Sequence, residues 1–150
     1  MSELSTSSRD VVLELQHNVP GAATASIIRL STGREVVWLE VDGGHHKGAL
    51  SAAASHVIAT AATTARTKGL PVVLQIESSG ADILEGIPAL HGWGTAAKAL
   101  AECSGYVPSI SIVTGPAVSG PALLIGLSDF VVMTEDSYAF VSGPTMVVEF

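Results

Sequence analysis

The sequence is poor in charge and in cysteine, and each shortage excludes something. Charged residues make up 14% of the 150 residues, against about 25% in typical soluble domains. Little of the surface is therefore built for water alone, and we expect heavy burial, including surface that is covered in an assembly. The single cysteine, Cys103, excludes an internal disulfide and any zinc site built from several cysteines.

Basic residues are also scarce, and they stop early in the chain. All seven lysines and arginines lie at or before Lys98, and the net charge is −7. Nucleic-acid binders need a basic surface to displace counterions, so we predict no nucleic-acid partner. The uncharged stretches 48–65 and 103–128 are interrupted by hydroxyl side chains or by prolines and glycines. A membrane span needs about 20 mostly apolar residues, so we predict no membrane protein, and the cytoplasm is the expected location.

The hydrophobic pattern predicts one α/β domain. Residues 1–10 are expected to form a loose polar tail and residues 11–150 a folded lobe, which the apolar ending suggests is incomplete at its C-terminus. The predicted strands cover residues 11–16, 25–30, 35–41, 72–76, 109–113, 130–134 and 138–141. The predicted helices cover residues 50–68, 89–104 and 122–127, with another helix starting at 142–144. Strands that alternate with helices indicate a mostly parallel sheet covered by helices.

Two glycine-bearing loops leave the carboxyl ends of neighbouring predicted strands. Ligands of such sheets bind at those ends, so residues 78–82 and 115–121 are predicted to lie near one another. In the second loop Gly120 can bring its amide close to a ligand oxygen, and Pro121 suits the start of a helix, whose positive end would assist. Together with an amide of the first loop, this arrangement would stabilise an oxyanion or enolate. The alternative is that both loops are simple turns.

Part of the sequence resembles enoyl-CoA hydratases. Gly80-Ala81-Asp82-Ile83 is similar to their GADI segment, and residues 115–127 are similar to their glycine-rich run. By this resemblance the oxyanion donors are the backbone N–H groups of Ala81 and Gly120. The positions that match the two hydratase glutamates hold residues that cannot transfer a proton as a carboxylate does, Leu123 and Thr145. Hydratase activity is therefore not expected.

Residues 37–150 more closely resemble the carboxyltransferase subunits of acetyl- and propionyl-CoA carboxylases. The matching motifs are Gly43-Gly44, Gly69-Leu70-Pro71-Val72-Val73, Ser79-Gly80-Ala81 with Glu85-Gly86, Val107-Pro108 with Gly115-Pro116 and Gly120, and Ser137-Tyr138 with Ser142-Gly143-Pro144. The resemblance implies a crotonase-like fold, with biotin as the cofactor. It also implies an acyl-CoA-binding lobe in which a carboxyl group passes from carboxybiotin to acetyl-CoA, propionyl-CoA or a similar acyl-CoA. The enolate would be held by backbone amides, and no metal would be bound by this chain.

The same resemblance supplies the candidate site residues. The catalytic candidates are the amides of Ala81 and Gly120, with Ser119 as a possible addition. The candidates for substrate binding are Gly80, Asp82, Gly115, Pro116, Pro121, Gly143 and Pro144. Two of these positions depart from the family. Asp82 stands where the family usually has arginine, and Ser119 stands at the first glycine of a pair.

The implied partners are an acyl-CoA substrate and the biotin carboxyl carrier and biotin carboxylase subunits, within a homo- or hetero-oligomer. Two alternatives stay open: a decarboxylase of malonyl-type thioesters that needs no biotin, and a non-catalytic crotonase-like assembly module. The Clp-type proteases place a nucleophilic serine at the position of Ser119. Such a serine needs a base, and no histidine follows His91, so a protease is not expected.

The remaining conspicuous residues have plainer interpretations. His45, His46 and Lys47 either meet the phosphates of CoA or form a solvated loop. His91 is expected near the first loop, and Glu85 is expected to fix that loop. Buried or interface positions are predicted for Trp38, Trp93 and Cys103. Replacing Gly120 by a bulky residue is expected to abolish turnover and leave the fold intact.

Overall fold

The computed structural model of the chain describes residues 9–16 and 21–142. Within them the elements follow in the order β1 (Asp10–Glu14), β2 (Ala23–Arg29), β3 (Glu35–Val41), a short 3₁₀ turn (His46–Gly48), α1 (Ala52–Lys68), β4 (Val72–Ser78), α2 (Ile87–Ala101), β5 (Ser109–Val118), α3 (Gly120–Ile125), β6 (Phe130–Met133) and β7 (Tyr138–Phe140). Strand β1 takes in Asp10, so the last residue of the expected tail belongs to the sheet.

The strands form one mixed sheet in the order β1-β2-β3-β4-β5-β6. Strand β2 pairs antiparallel with β1 and β3, whereas β3, β4 and β5 run parallel. Strands β6 and β7 both pair in parallel with β5. Strand β6 lies along its first part, where Ile110 faces Phe130, and β7 lies along its last part, where Val118 faces Phe140. The mostly parallel sheet predicted from the sequence is therefore confirmed.

Strand β5 is longer than predicted. We expected a loop from Gly115 to Gly120, but residues 115–118 continue the strand and Gly120 is the first residue of α3. The pairing of this extension with β4 is irregular. Ile76 faces Val113, yet Ser78 faces Ala117, so β5 carries two extra residues at this point. Proline is tolerated at such bulges, and Pro116 faces Tyr138 of β7.

One face of the sheet packs against α1 and α2. Most alanines of α1 are buried, and Ala54, Ala61 and Ala65 are fully buried in the main core with Leu39, Leu74 and other strand residues. Small side chains also bring the helices together. A Cβ added to Gly92 of α2 would lie 3.0 Å from the Cα of Ala52 and from the Cβ of Ser55. The alanine-rich helix predicted from the sequence does sit close to its neighbours.

The opposite face has a smaller apolar cluster and leaves much apolar surface open. The cluster joins Ile28, Val36 and Val73 with Trp38 and Ile112, and the Arg9 guanidinium lies 4.2 Å from the Trp38 ring centre. All four residues of β6 are exposed and apolar, Phe130 at 68%. None of the helices within residues 9–16 and 21–142 combines the length and the apolar character needed to cross a bilayer.

Candidate functional site

The carboxyl ends of β4 and β5 bring the two predicted loops together. Ser78, the last residue of β4, pairs with Ala117 of β5. The next residues stay in contact, since a Cβ added to Gly80 would lie 3.5 Å from the carbonyl oxygen of Val118 and 3.9 Å from the Cβ of Ser119. The adjacency of residues 78–82 to the segment before Gly120 is as the sequence predicted.

The amides of Ala81 and Gly120 are both left without a protein partner among the described residues. Ala81 forms an isolated parallel bridge with Leu50, whose amide donates to Gly80 O at 2.8 Å and whose carbonyl accepts from the Asp82 amide at 2.9 Å. Backbone groups alternate in direction along an extended chain, so the Ala81 N–H points away from Leu50. Gly120 opens α3 and its amide precedes the helical bonding pattern. Two unpaired N–H groups thus remain on adjoining segments.

Ser119 has a strained backbone. Its backbone angles are φ +64° and ψ −122°, a conformation that residues other than glycine rarely adopt. Its amide donates to Phe140 O at 2.7 Å, so that N–H is already in use. Among the described residues its hydroxyl has no hydrogen-bond partner, so none of them is placed as the base that a nucleophilic serine needs.

The proline and glycine candidates of the second segment have packing roles. The side chain of Pro121 is fully buried at the start of α3, and its assignment to substrate binding stays a prediction. A Cβ added to Gly115 would lie 2.6 Å from Cδ of Glu77, so this glycine makes room for a side chain of β4. Gly143 and Pro144, with Thr145, lie outside the described residues.

Sequence reasoning missed Glu77. Its side chain packs between Gly43 and Gly115, where neither glycine could carry a Cβ without overlap, and Gly48 packs against its main chain. Glu77 is half-buried at the edge of the sheet where β4 ends. The signal in the sequence is weak. It consists of Gly43 after β3 and Gly115 within β5, which come beside the Glu77 carboxylate only because the strands pair in parallel.

Asp82 is held in a local turn and lines a cavity with Ala81. Its Oδ1 accepts a hydrogen bond from the Leu84 amide at 2.9 Å. The cavity measures about 380 Å³, and its lining is His46, Ala49, Ser79, Ala81, Asp82, Ile83 and Leu84. A neighbouring cavity of about 230 Å³ shares His46, Ala49 and Asp82 and extends to Glu85. The first predicted loop therefore borders a groove made of two cavities that share part of their lining.

The loop with two histidines lies beside this groove. His46, Lys47 and Gly48 have φ values of +45°, +55° and +67°. Backbone strain of this kind in residues other than glycine is concentrated at functional sites. The rings of His45 and His46 stack with their centres 4.6 Å apart. The Lys47 carbonyl accepts from the Ser79 amide at 2.9 Å, so this exposed basic segment is attached to the loop that carries Ala81.

Other candidates lie away from the groove. His91 lies with His56 in a cleft of about 330 Å³ between α1 and α2. Cys103 is fully buried, as predicted, and its thiol lies 3.4 Å from Ala62 O and 3.5 Å from Ala99 O. Burial raises the pKa of this thiol. The described part of the chain contains no cluster of three or more His, Cys, Asp or Glu residues suited to a metal ion.

Comparison with known proteins identifies the relatives of this arrangement. A profile described as "Carboxyl transferase domain" matches residues 14–149. The beta6 subunit of a biotin-dependent acetyl-/propionyl-coenzyme A carboxylase from Mycobacterium tuberculosis is 34% identical over 138 residues, which cover 92% of this chain and 29% of the relative. The chain therefore spans less than a third of the length of that relative.

Solved structures of related proteins have the same fold as this chain. Transcarboxylase 12S, crystallised with methylmalonyl-coenzyme A and methylmalonic acid, superposes with a TM-score of 0.82 at 29% identity, covering 85% of this chain and 25% of the other. A Pseudomonas malonate decarboxylase heterodimer superposes with a TM-score of 0.80 at 19% identity, covering 91% of this chain and 62% of the other. At that identity the decarboxylase demonstrates a common fold alone.

Proposed function

Since the chain belongs to the carboxyl transferase domain family and has its crotonase-like fold, we propose that it forms the acyl-CoA-binding part of a carboxyltransferase. The reaction moves a carboxyl group from carboxybiotin to acetyl-CoA, propionyl-CoA or a similar acyl-CoA. The relative named as an acetyl-/propionyl-coenzyme A carboxylase subunit supports this substrate class. The structure of transcarboxylase 12S with a bound CoA thioester supports it independently.

The observation that carries the proposal is the pair of free amides on adjoining segments. Removing a proton from the α-carbon of an acyl-CoA places negative charge on the thioester oxygen. The N–H groups of Ala81 and Gly120 are available to hold that oxygen, because neither has an acceptor among the described residues. Fixed donors of this kind stabilise a developing oxyanion strongly. Helix α3 has only six residues, so the amide itself, and not a helix dipole, provides this stabilisation.

The side chains around Ala81 suit a reaction whose base comes with the carboxyl donor. Carboxybiotin, when bound, would supply both the carboxyl group and a basic nitrogen. The chain then has to hold and orient the thioester, which is a matter of positioning. Oδ1 of Asp82, in the same cavity, accepts a hydrogen bond from the Leu84 amide, and no residue of this chain is assigned to hold biotin.

The groove along Ala81 and Asp82 would hold the pantetheine arm, with the CoA phosphates beside the basic segment. His45, His46 and Lys47 are exposed, and Lys47 is joined to Ser79 through the backbone. Asp82 replaces an arginine usual in the family, so it directs the phosphates away from itself toward this segment. The biotin carboxyl carrier and biotin carboxylase subunits, and an oligomeric assembly, complete the proposal. Transcarboxylase 12S assembles as a hexamer, which supports the last point.

Removing one amide proton tests the site. Ala81→Pro deletes the N–H that the fold does not use, whereas Ala81→Ser keeps it and serves as the matched control. The assay has to supply the rest of the carboxyltransferase, because this chain covers 29% of its relative. In it we expect kcat for carboxyl transfer to fall about 100-fold in the proline variant. KM and the unfolding midpoint should change little. Full activity of Ala81→Pro would refute the oxyanion role.

The same assay separates the alternatives. Carboxyl transfer that depends on carboxybiotin supports the proposal. Release of CO2 from malonyl-CoA without biotin would replace it with a decarboxylase. A stable complex with a partner and no turnover on acetyl-CoA, propionyl-CoA or malonyl-CoA would replace it with a non-catalytic module.

A further inference from the structure

Trp93 of α2 stands directly against Gly120. A Cβ added to Gly120 would lie 2.5 Å from Nε1 of Trp93 and 2.7 Å from its Cδ1, closer than carbon atoms approach in folded proteins. The ring also packs against the main core. Gly120 is therefore restricted to glycine by this one side chain, and a bulky residue at position 120 would disturb the fold. The expectation that such a change leaves the fold intact is wrong.

The polar end of this indole is buried beside Gly120. Trp93 Nε1 is buried and has no partner among the described residues. A buried donor without an acceptor costs free energy, and such groups in native proteins call for a functional or structural reason. The contact with Gly120 is the reason that the surroundings offer.

The position of Trp93 connects both segments of the proposed site. Helix α2 begins at Ile87, right after the loop that carries Ala81, and it bears the ring that touches Gly120. Ser119, next to Gly120, has the strained φ of +64°. A strained residue keeps its conformation only where its surroundings impose it. Packing of Trp93 on Gly120 is one such constraint, together with the Ser119–Phe140 hydrogen bond.

We propose that Trp93 is a positioning residue, which sets the Gly120 amide relative to the Ala81 amide. This inference rests on the proposed function, because it assigns Trp93 a part in holding the thioester oxygen. Trp93 does not touch the substrate in this role. It acts through Gly120, and small errors in the placement of an oxyanion donor reduce the rate of the chemical step more than they reduce binding.

Kinetics of Trp93→Phe test the role. Phenylalanine keeps ring atoms close to the positions of Cδ1 and Nε1 but lacks the second ring of the indole, so it holds Gly120 less firmly. We therefore expect kcat for carboxyl transfer to fall about tenfold with KM nearly unchanged. Trp38→Phe is the matched control, since Trp38 lies in the apolar cluster on the opposite face of the sheet, and its kcat should equal that of the wild type. Unchanged kcat in Trp93→Phe, or a change in KM alone, would overturn the proposal.

A double-mutant cycle tests the contact without any catalysis. Gly120→Ala should lower the urea midpoint strongly in the wild type and much less in a Trp93→Ala background, where the space is free. An equal loss in both backgrounds would overturn the proposal. A wild-type protein without carboxyl transfer, but with this coupling intact, would instead sink the proposed function and leave the packing contact standing.

Discussion

The Glu85 carboxylate accepts a hydrogen bond from the Ala52 amide at 2.6 Å, at the first residue of α1. Helix α1 has no acidic residue in its own first turn, so Glu85 supplies negative charge to that end from the loop after Ala81. Ser51 accepts from the Ala54 amide at 3.0 Å and satisfies a second of the unpaired amides. Glu85 thus fixes the loop, as the sequence predicted.

Glu85→Ala should loosen both the helix start and the loop that carries Ala81. We expect the free energy of unfolding to fall by about 1 kcal/mol, measured by urea denaturation, and kcat to fall with it. Glu85→Gln keeps an oxygen acceptor and should lose less on both counts. A glutamine variant as impaired as the alanine variant would show that the hydrogen bond to Ala52 is not what matters.

Ser119→Gly should stabilise the protein. The replacement removes the cost of a side chain at φ +64°, so we expect the free energy of unfolding to rise by about 1 kcal/mol. Thermal or urea unfolding measures it. A lower midpoint would mean that the serine side chain makes a contact that outweighs the strain.

Gly86 offers a matched reverse experiment. It precedes α2 with φ +62° and ψ −122°, nearly the conformation of Ser119 before α3. An added Cβ would meet no atom within 4 Å, so Gly86→Ser changes the backbone cost alone. We expect a loss of about 1 kcal/mol. If backbone strain is the cause, the free energy of unfolding must rise in Ser119→Gly and fall in Gly86→Ser.

Ser109 and Asp129 tie the starts of β5 and β6 together. The Asp129 carboxylate accepts from the Ser109 amide at 2.7 Å and from its hydroxyl at 2.9 Å, and these bonds lower the pKa of Asp129. The unfolded chain therefore binds this proton more readily. The stabilisation is present above the unfolded pKa of about 4 and is lost as the pH falls through the folded-state pKa.

We accordingly expect Asp129→Asn to lower the Tm at neutral pH, with the difference from the wild type shrinking below about pH 4. Thermal unfolding across that range measures the effect. The control is Asp136→Asn, because Asp136 is an exposed aspartate between β6 and β7. The prediction is wrong if the difference between wild type and Asp129→Asn stays constant down to the most acidic condition.

Cys103 should react slowly with thiol reagents in the folded protein. The thiolate is the reactive form, and burial raises the pKa of this fully buried thiol. Labelling with a disulfide reagent should be more than about 100-fold slower than in urea, because it requires opening of the core. Cys103 is the single cysteine, so the signal has one source. Rapid labelling under native conditions would place the thiol at the surface.

The fold could be predicted wherever local signals flank an element. Strand β3 has the bounds predicted for it, because turn residues stand on both sides. Helix α1 begins at Ala52 rather than Leu50, since Ser51 caps it. The extension of β5 could not be predicted, because residues 116–118 are held as a strand by pairing with β7, which lies about 20 residues further along the chain.

For the site, parallel topology was enough to bring Gly80 and Ser119 together. The contacts that define each position were out of reach. Trp93 against Gly120 and Glu77 between two glycines depend on packing between elements whose relative placement no local pattern encodes. The full burial of Pro121 likewise depends on packing around α3 that the sequence does not encode locally.

The Ser119 amide donates to the carbonyl of Phe140, a residue that is synthesised later. The turn before α3 therefore cannot reach its final conformation until Phe140 has been made. Translation releases the chain from its N-terminus, at about 5–20 residues per second. Ser119 leaves the ribosome before Phe140, so its amide has no acceptor until Phe140 has also emerged. Until then the strained turn has no such anchor, so the helices and inner strands can assemble seconds before this part of the molecule acquires its final shape.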